Sequence, residues 1–338
     1  MVSASTPVNC GINHYTISLV FKSLYFVLCV PALLLNIMAA WISWKLKNKS
    51  SFIVYLKNLV GADLLMTFLI LLRADAGSPG SRWGLKAFNC QFGSVLFYLC
   101  MYVSIVLMGV ISLDRFFKIV QPGGKLFGQS PLFGKVVSAA IWVVLLSTIS
   151  IPAMVLTNEK PKNTTTEFCM AMKSDLGKRY HEGVILVSTV IFFVVLVVIG
   201  ICYTCIAKKV IESYRNSGSR NTEGKRRVKA KVFIVLVVFL VCFAPYHIAR
   251  PFYLQQQVID KNDCRWAYLR VVNSITLFIA TSNVCLDPLI YVLLCKAFRQ
   301  KLYEFRMFRL CLSSVSEVSG EEQRTSGLQL TPVMESPK

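Results

Sequence analysis

Seven stretches of the chain are each long and apolar enough to cross a lipid bilayer, and no other feature restricts its fold so strongly. A helix needs about 20 apolar residues to span the hydrocarbon. The runs Leu24 to Trp44, Phe52 to Leu72, Phe92 to Leu113, Val136 to Leu156, Val184 to Ala207, Val232 to Tyr253 and Leu269 to Leu294 meet that length. The bilayer core offers no water to backbone N–H and C=O groups, so such runs form helices. The expected fold is an all-α membrane protein, a seven-transmembrane helix bundle. Composition agrees: with 55% hydrophobic and 16% charged residues among 338, one soluble core could not hide the apolar surface. A soluble α/β protein with buried helices is set aside on this ground.

Basic residues are distributed unevenly between the spans. The first connection carries Lys45, Lys47 and Lys49, the third Arg115, Lys118 and Lys125, and the fifth nine, from Lys208 and Lys209 to Lys231. The positive-inside rule turns these loops to the cytoplasm. The amino terminus is then expected outside and the carboxyl tail inside, and the net charge of +20 reflects topology rather than nucleic-acid binding. Residues 1–16 form the outer amino terminus; lacking a basic leader and a cleavage site, they leave the first helix as an uncleaved anchor. The bundle occupies 17–295. Over 296–311, Phe298, Leu302, Phe305 and Phe308 alternate with Arg299, Lys301, Arg306 and Arg309, the pattern of a short amphipathic membrane-surface helix with Cys311 placed for palmitoylation. The Ser-, Thr- and Glu-rich tail 312–338 is expected to be disordered.

Of 12 cysteines, Cys10, Cys90, Cys169 and Cys264 lie outside the spans in the oxidising compartment. Four such cysteines suggest two disulfides and permit three connectivities. Asn163-Thr164-Thr165 is a glycosylation sequon in an outer loop, whereas Asn48-Lys49-Ser50 faces the cytoplasm and is disregarded.

Polar residues inside a span cost about 2.5 to 3.5 kcal/mol to insert, so each needs a reason. Asn36, Asn58, Asp63, Asn283 and Asp287 are most economically one shared network, with water or a cation. Pro152, Pro245 and Pro288 each remove a backbone hydrogen bond within a span and are expected to kink it. Phe239 and Phe243 stand one turn apart before Pro245, a spacing typical of core packing. Asp114-Arg115-Phe116 ends the third span.

Taken together and in order, these residues resemble the rhodopsin-like (class A) G-protein-coupled receptors over roughly Leu24 to Phe308. The resemblance is carried by Asn36, Leu59, Asp63, Cys90, Asp114-Arg115-Phe116, Trp142, Pro152, Tyr203, Cys242-Phe243-Ala244-Pro245-Tyr246-His247 and Asp287-Pro288-Leu289-Ile290-Tyr291. It implies disulfides Cys90–Cys169 and Cys10–Cys264. Asp114 is expected to hold Arg115 at rest and release it to the G protein, with Tyr203 and Tyr291 supporting the open state and Phe243, Pro245 and Pro288 transmitting the change. Asn36, Asp63, Asn283 and Asp287 are expected to form an ion- or water-filled network, with a sodium ion near Asp63. The resemblance also implies a plasma-membrane location and arrestin binding through a phosphorylated tail. Phe116 and Asp287 stand where tyrosine and asparagine are more usual.

A narrower resemblance, to the purinoceptor branch sensing ADP and UDP-sugars through inhibitory G proteins, rests on local strings. These include Ser51-Phe52-Ile53-Val54-Tyr55-Leu56-Lys57-Asn58, Lys173-Ser174-Asp175-Leu176-Gly177 and Pro245-Tyr246-His247-Ile248-Ala249-Arg250. Independently of it, the outer end of the bundle is basic, Arg73 among its residues, and would draw an anion. Arg250 is the leading candidate for a phosphate clamp because its guanidinium fork matches phosphate oxygens. Lys173, His181 and His247 accompany it, and Tyr98, Tyr102 and Tyr253 are suited to stack on a base or donate hydroxyls. Asn273, Ala153 and Ile185 replace polar residues usual in that branch. A lysophospholipid, with its head on Arg250 and its tail on Ile185, is therefore the rival to a nucleotide.

Other function classes find little support. His14, His181 and His247 are scattered, and no nucleophile elbow, metal-ligating motif or phosphate loop appears, so the chain is not expected to be an enzyme. No internal repeat or matched pair of broken helices favours a carrier or channel.

Overall fold

The computed structural model describes residues 11, 13–47, 50–78, 80–121, 130–160, 168–216, 222–259 and 264–304. Among the described residues, seven helices are long and apolar enough to cross a membrane. They are α1 (His14–Lys45), α2 (Ser51–Ala76), α3 (Trp83–Val120), α4 (Pro131–Val155), α5 (Asp175–Asn216), α6 (Thr222–Ile259) and α7 (Cys264–Leu293). A single-turn helix, Phe168–Ala171, lies between α4 and α5, and α8 (Lys296–Tyr303) follows α7. The helices outrun the apolar stretches because polar end turns continue them: α5 runs on to Asn216 and α6 begins at Thr222.

Local chemistry sets the helix starts. Asn13 accepts the Tyr15 and Thr16 N–H groups at the head of α1, and Ser130 accepts the Phe133 N–H just ahead of Pro131. The helices form a closed bundle in which α2 packs on α1, α3 and α4, α3 also on α5, α6 between α5 and α7, and α7 back on α1. The most enclosed helices are α2 and α3, whereas α4 and α5 turn Val143, Val144, Val155, Val190, Val194 and Val197 outward, toward lipid. One continuous core includes Ile70, Phe97, Met101, Ile105, Phe192, Phe239 and Phe243. The Phe239 and Phe243 rings lie 5.2 Å apart within it.

Two of the span prolines are accommodated by bonds from neighbouring helices. Pro288 has no N–H for the carbonyl of Val284, four residues earlier; Asn36 of α1 donates to that oxygen at 2.7 Å. Pro152 follows directly on a π-helical turn, Leu146–Ser150, and the carbonyl of Thr148 accepts the Tyr180 hydroxyl of α5. Close approach matters at Gly134 of α4. A Cβ there would lie 2.8 Å from the Cα of Ser51, so the bare backbone lets α4 press on the first turn of α2.

At the end of the bundle bearing the α4–α5 connection, Cys90 and Cys169 form a disulfide. Cys264 is disulfide-bonded too, but its expected partner Cys10 lies outside the described residues. So do Asn163, Cys311 and the tail 312–338. At the opposite end, α8 buries Phe298 and Leu302 on the bundle, and the Cys295 Sγ accepts the Phe298 N–H at 3.4 Å.

Replacing Asn36 by leucine keeps the branched four-atom shape of the side chain and strands the Val284 carbonyl. The purified protein is expected to lose about 1 to 3 kcal/mol of stability, read as an earlier thermal unfolding transition in detergent.

Candidate functional site

The disulfide end holds a cluster of cations and aromatic rings. Its upper wall is the strap between α4 and α5, secured by an isolated antiparallel bridge between Thr157 and Lys173, by Ser174 N–H to Leu156 O at 3.2 Å, and by Glu159 N–H to Met172 O at 3.0 Å. The bridge turns Lys173 inward, where its Nζ donates to Thr157 Oγ1 at 2.9 Å and is almost wholly buried. Burial lowers the ammonium to about 8, and the positive charge of Arg250 adds to the shift.

Arg250 of α6 is the hub. Its Nη2 lies 3.2 Å from Nε2 of His181 on α5. A guanidinium can only donate, so Nε2 accepts and the His181 proton sits on Nδ1, a neutral imidazole. The Tyr253 ring lies 5.4 Å from the guanidinium carbon. Tyr98 and Tyr102 of α3, and Tyr246 of α6, are within electrostatic reach of the same group. Tyr98 stacks on Tyr246 with ring centroids 6.4 Å apart.

A second guanidinium converges on Tyr98 from the other side. Arg73 of α2 donates to Ser94 Oγ at 3.4 Å, lies 5.1 Å from the Phe97 ring and 5.6 Å from the Tyr98 ring, and is within electrostatic reach of Tyr25. Counted in the sequence only among the basic residues of the outer end, Arg73 turns inward. Ten residues beyond Asp63, it is about 15 Å further along the helix, still at the edge of the hydrocarbon, and that distance was the available signal. The structure thus brings together Arg250, Lys173, His181, Tyr98, Tyr102 and Tyr253, and adds Arg73, Tyr25 and Tyr246. Among the described residues, no carboxylate forms an ion pair with Arg73, Lys173 or Arg250. Buried cations without counterions are costly, and an incoming anion relieves that cost.

His247 sits one turn below, as floor. Its Nδ1 donates to Phe243 O at 2.8 Å, and its ring stacks on Phe192 at 4.2 Å with Tyr102 edge-on at 5.8 Å. Its Nε2 is buried without a partner among the described residues, as is Asn273 Oδ1. Ile185 is buried as well.

Midway along the bundle, Tyr291 OH donates to Asp63 Oδ2 at 2.5 Å, Ser104 Oγ lies 3.4 Å from Asp63 Oδ1, and Asn283 Nδ2 donates to Asp287 Oδ2 at 2.7 Å. The Asp63 and Asp287 carboxyls are within electrostatic reach of each other, so a shared proton or a nearby cation would relieve their repulsion. Two buried acceptors, Asn36 Oδ1 and Asp287 Oδ1, have no partner among the described residues. Asn58 is not part of this network. Its Oδ1 accepts the Trp142 indole N–H at 3.3 Å, because its side chain leaves α2 toward α4.

At the far end, Asp114 and Arg115 are only loosely paired, 4.0 Å apart. Asp114 instead accepts the Ser51 hydroxyl at 2.5 Å, and the Arg115 guanidinium lies 3.4 Å over the Phe52 ring. The expected Asp114–Arg115 pair is present at the outer limit of ion-pair distance, and the first turn of α2 engages both charges as well. Tyr203 is within electrostatic reach of Arg115, whereas Tyr291 is engaged with Asp63.

Comparison with known proteins bears on this architecture. The family described as 7 transmembrane receptor (rhodopsin family) matches residues 35–291. Human purinoceptor 13 is 42% identical over 87% of this chain and 83% of its own length. Bovine purinoceptor 14 is 38% identical over 92% of each chain. Mouse G-protein coupled receptor 87 is 38% identical over 85% of this chain and 80% of its own. The family is one of multi-pass plasma-membrane receptors that act on G proteins, not of enzymes. With its seven spans and its match over most of their length, the chain belongs to that rhodopsin family of receptors, within the purinoceptor branch.

Proposed function

We propose that this receptor is activated by an extracellular nucleotide, ADP or a nucleotide-sugar, bound at the disulfide end of the bundle, and that it signals through an inhibitory G protein at the other end. The observation that carries the reading is the meeting of Arg73, Lys173 and Arg250 among tyrosines, with no acidic partner among the described residues. A diphosphate supplies the missing counter-charge, with Arg250 as a forked donor and Lys173 as a point charge, while Tyr98, Tyr102 and Tyr253 offer ring faces and hydroxyls. The purinoceptor relatives add independent support. In this reading the amino terminus is extracellular, a sodium ion sits near Asp63, Arg115 engages the G protein, and the phosphorylated tail recruits arrestin.

A second reading keeps the site and changes the ligand. Ile185 and Asn273 leave the pocket poorer in polar contacts than a nucleotide uses, which favours a lysophospholipid held by its phosphate.

The discriminating experiment exposes cells to ADP, UDP-glucose and lysophosphatidylserine and reads the fall in cyclic AMP. A response to nucleotides supports the first reading; silence to both, with an Arg250-dependent response to the lipid, overturns it. Arg250→Ala is expected to raise the agonist concentration for half-maximal response about 30-fold or more at equal surface expression, with Arg250→Lys intermediate. Potency is expected to fall as external pH rises through about 8, because Lys173 loses its proton there and with it the attraction for an anion. Lys173→Arg should flatten that dependence. Arg115→Ala, at full surface expression, is expected to abolish nucleotide exchange on the G protein.

A further inference from the structure

We propose that Phe52 is the positioning residue that keeps Arg115 sequestered, so that the inactive state of this receptor is latched from α2 rather than by the Asp114–Arg115 pair. The proposal rests on the reading of Arg115 as the residue that engages the G protein.

Three observations carry it. The guanidinium carbon of Arg115 lies 3.4 Å from the centroid of the Phe52 ring, inside the range where the negative ring face attracts a cation, and Phe52 is almost fully buried. The carboxylate that competes for Arg115 is shared: Asp114 Oδ1 takes the Ser51 hydroxyl at 2.5 Å, and its Oδ2 stands 4.0 Å from Arg115 Nε, at the outer limit of an ion pair. That Nε is buried with no hydrogen-bond partner among the described residues, so the guanidinium is held by its face more than by its edge.

The latch is compact. Ser51 and Phe52 are adjacent, so one turn of α2 restrains both members of the charged pair, and Gly134 of α4 braces that turn by contact with the Ser51 backbone. For Arg115 to reach an incoming G protein it must leave the Phe52 face. The ease of that step sets how much receptor is active without ligand, and weakening it shifts the population toward the active state.

The test measures ligand-independent nucleotide exchange on the G protein in membranes, normalised to surface receptor. Phe52→Leu keeps an apolar side chain and removes the ring; basal exchange is expected to rise about three- to tenfold. Phe52→Tyr, which restores a ring face, should return it toward the unsubstituted level. Because Phe52→Leu also alters packing, a second series places mono-, di- and trifluorophenylalanine at position 52, draining the ring face of negative charge at nearly constant shape. Basal exchange rising with each fluorine supports the latch. A flat series, with Arg115→Ala inactive, overturns the latch alone. Full agonist-driven exchange by Arg115→Ala overturns the coupling reading and the latch with it.

Discussion

The hydrocarbon interior of a bilayer has no hydrogen-bonding groups, so every polar atom that enters it must find its partner within the protein. The organisation of this bundle follows from that scarcity. Proline would be expected to weaken a span by leaving a carbonyl without its donor, yet Val284 O and Thr148 O are met by Asn36 and Tyr180 from adjacent helices. Each such bond ties one span to another through backbone. The helix defects thereby become the points at which the helices are registered against one another, α1 with α7 and α4 with α5.

Scarcity of partners also explains the contrast between the two ends. Where satisfaction is complete, as for Trp142 with Asn58, the groups are structural. Where it is withheld, the groups are available for work. Arg73 and Arg250 are surrounded by tyrosines, whose hydroxyls soften the burial of a cation without neutralising it. Arg115 rests on an aromatic face with an unfilled Nε. A group held by a quadrupole rather than a carboxylate is released at smaller cost, a useful property in a part that must move.

Much of this was legible in the amino-acid order, and the illegible part has a physical character. The seven runs declare themselves because membrane insertion depends on length and apolarity, which are local. Asp63 and Asp287 were conspicuous because carboxylates inside apolar runs demand a reason, and Arg250 because it stands one turn above His247 in a recognisable string. Direction was not local. Arg73 read as an outward charge and turned inward, since only the neighbouring Tyr25 and Tyr98 decide which way a guanidinium at the hydrocarbon edge points. Asn58 was grouped with the midplane residues and faces α4 instead. The adjacent letters Asp114-Arg115 suggest a pair, and the structure keeps it at 4.0 Å, but the further contacts to Ser51 and Phe52, far away in the chain, are not legible in that order.

The bridge between Thr157 and Lys173 has a consequence for time rather than affinity. The cations of the site ride on separate bodies: Lys173 on a strap tied to α3 by the Cys90–Cys169 disulfide and to α4 by the bridge, Arg250 on the shaft of α6. An anion spanning both becomes a crosslink between cover and shaft, and it leaves only when one of the two yields. Under the proposed reading, how long the signal outlasts the stimulus would then follow from how readily the backbone around Thr157 and Lys173 yields.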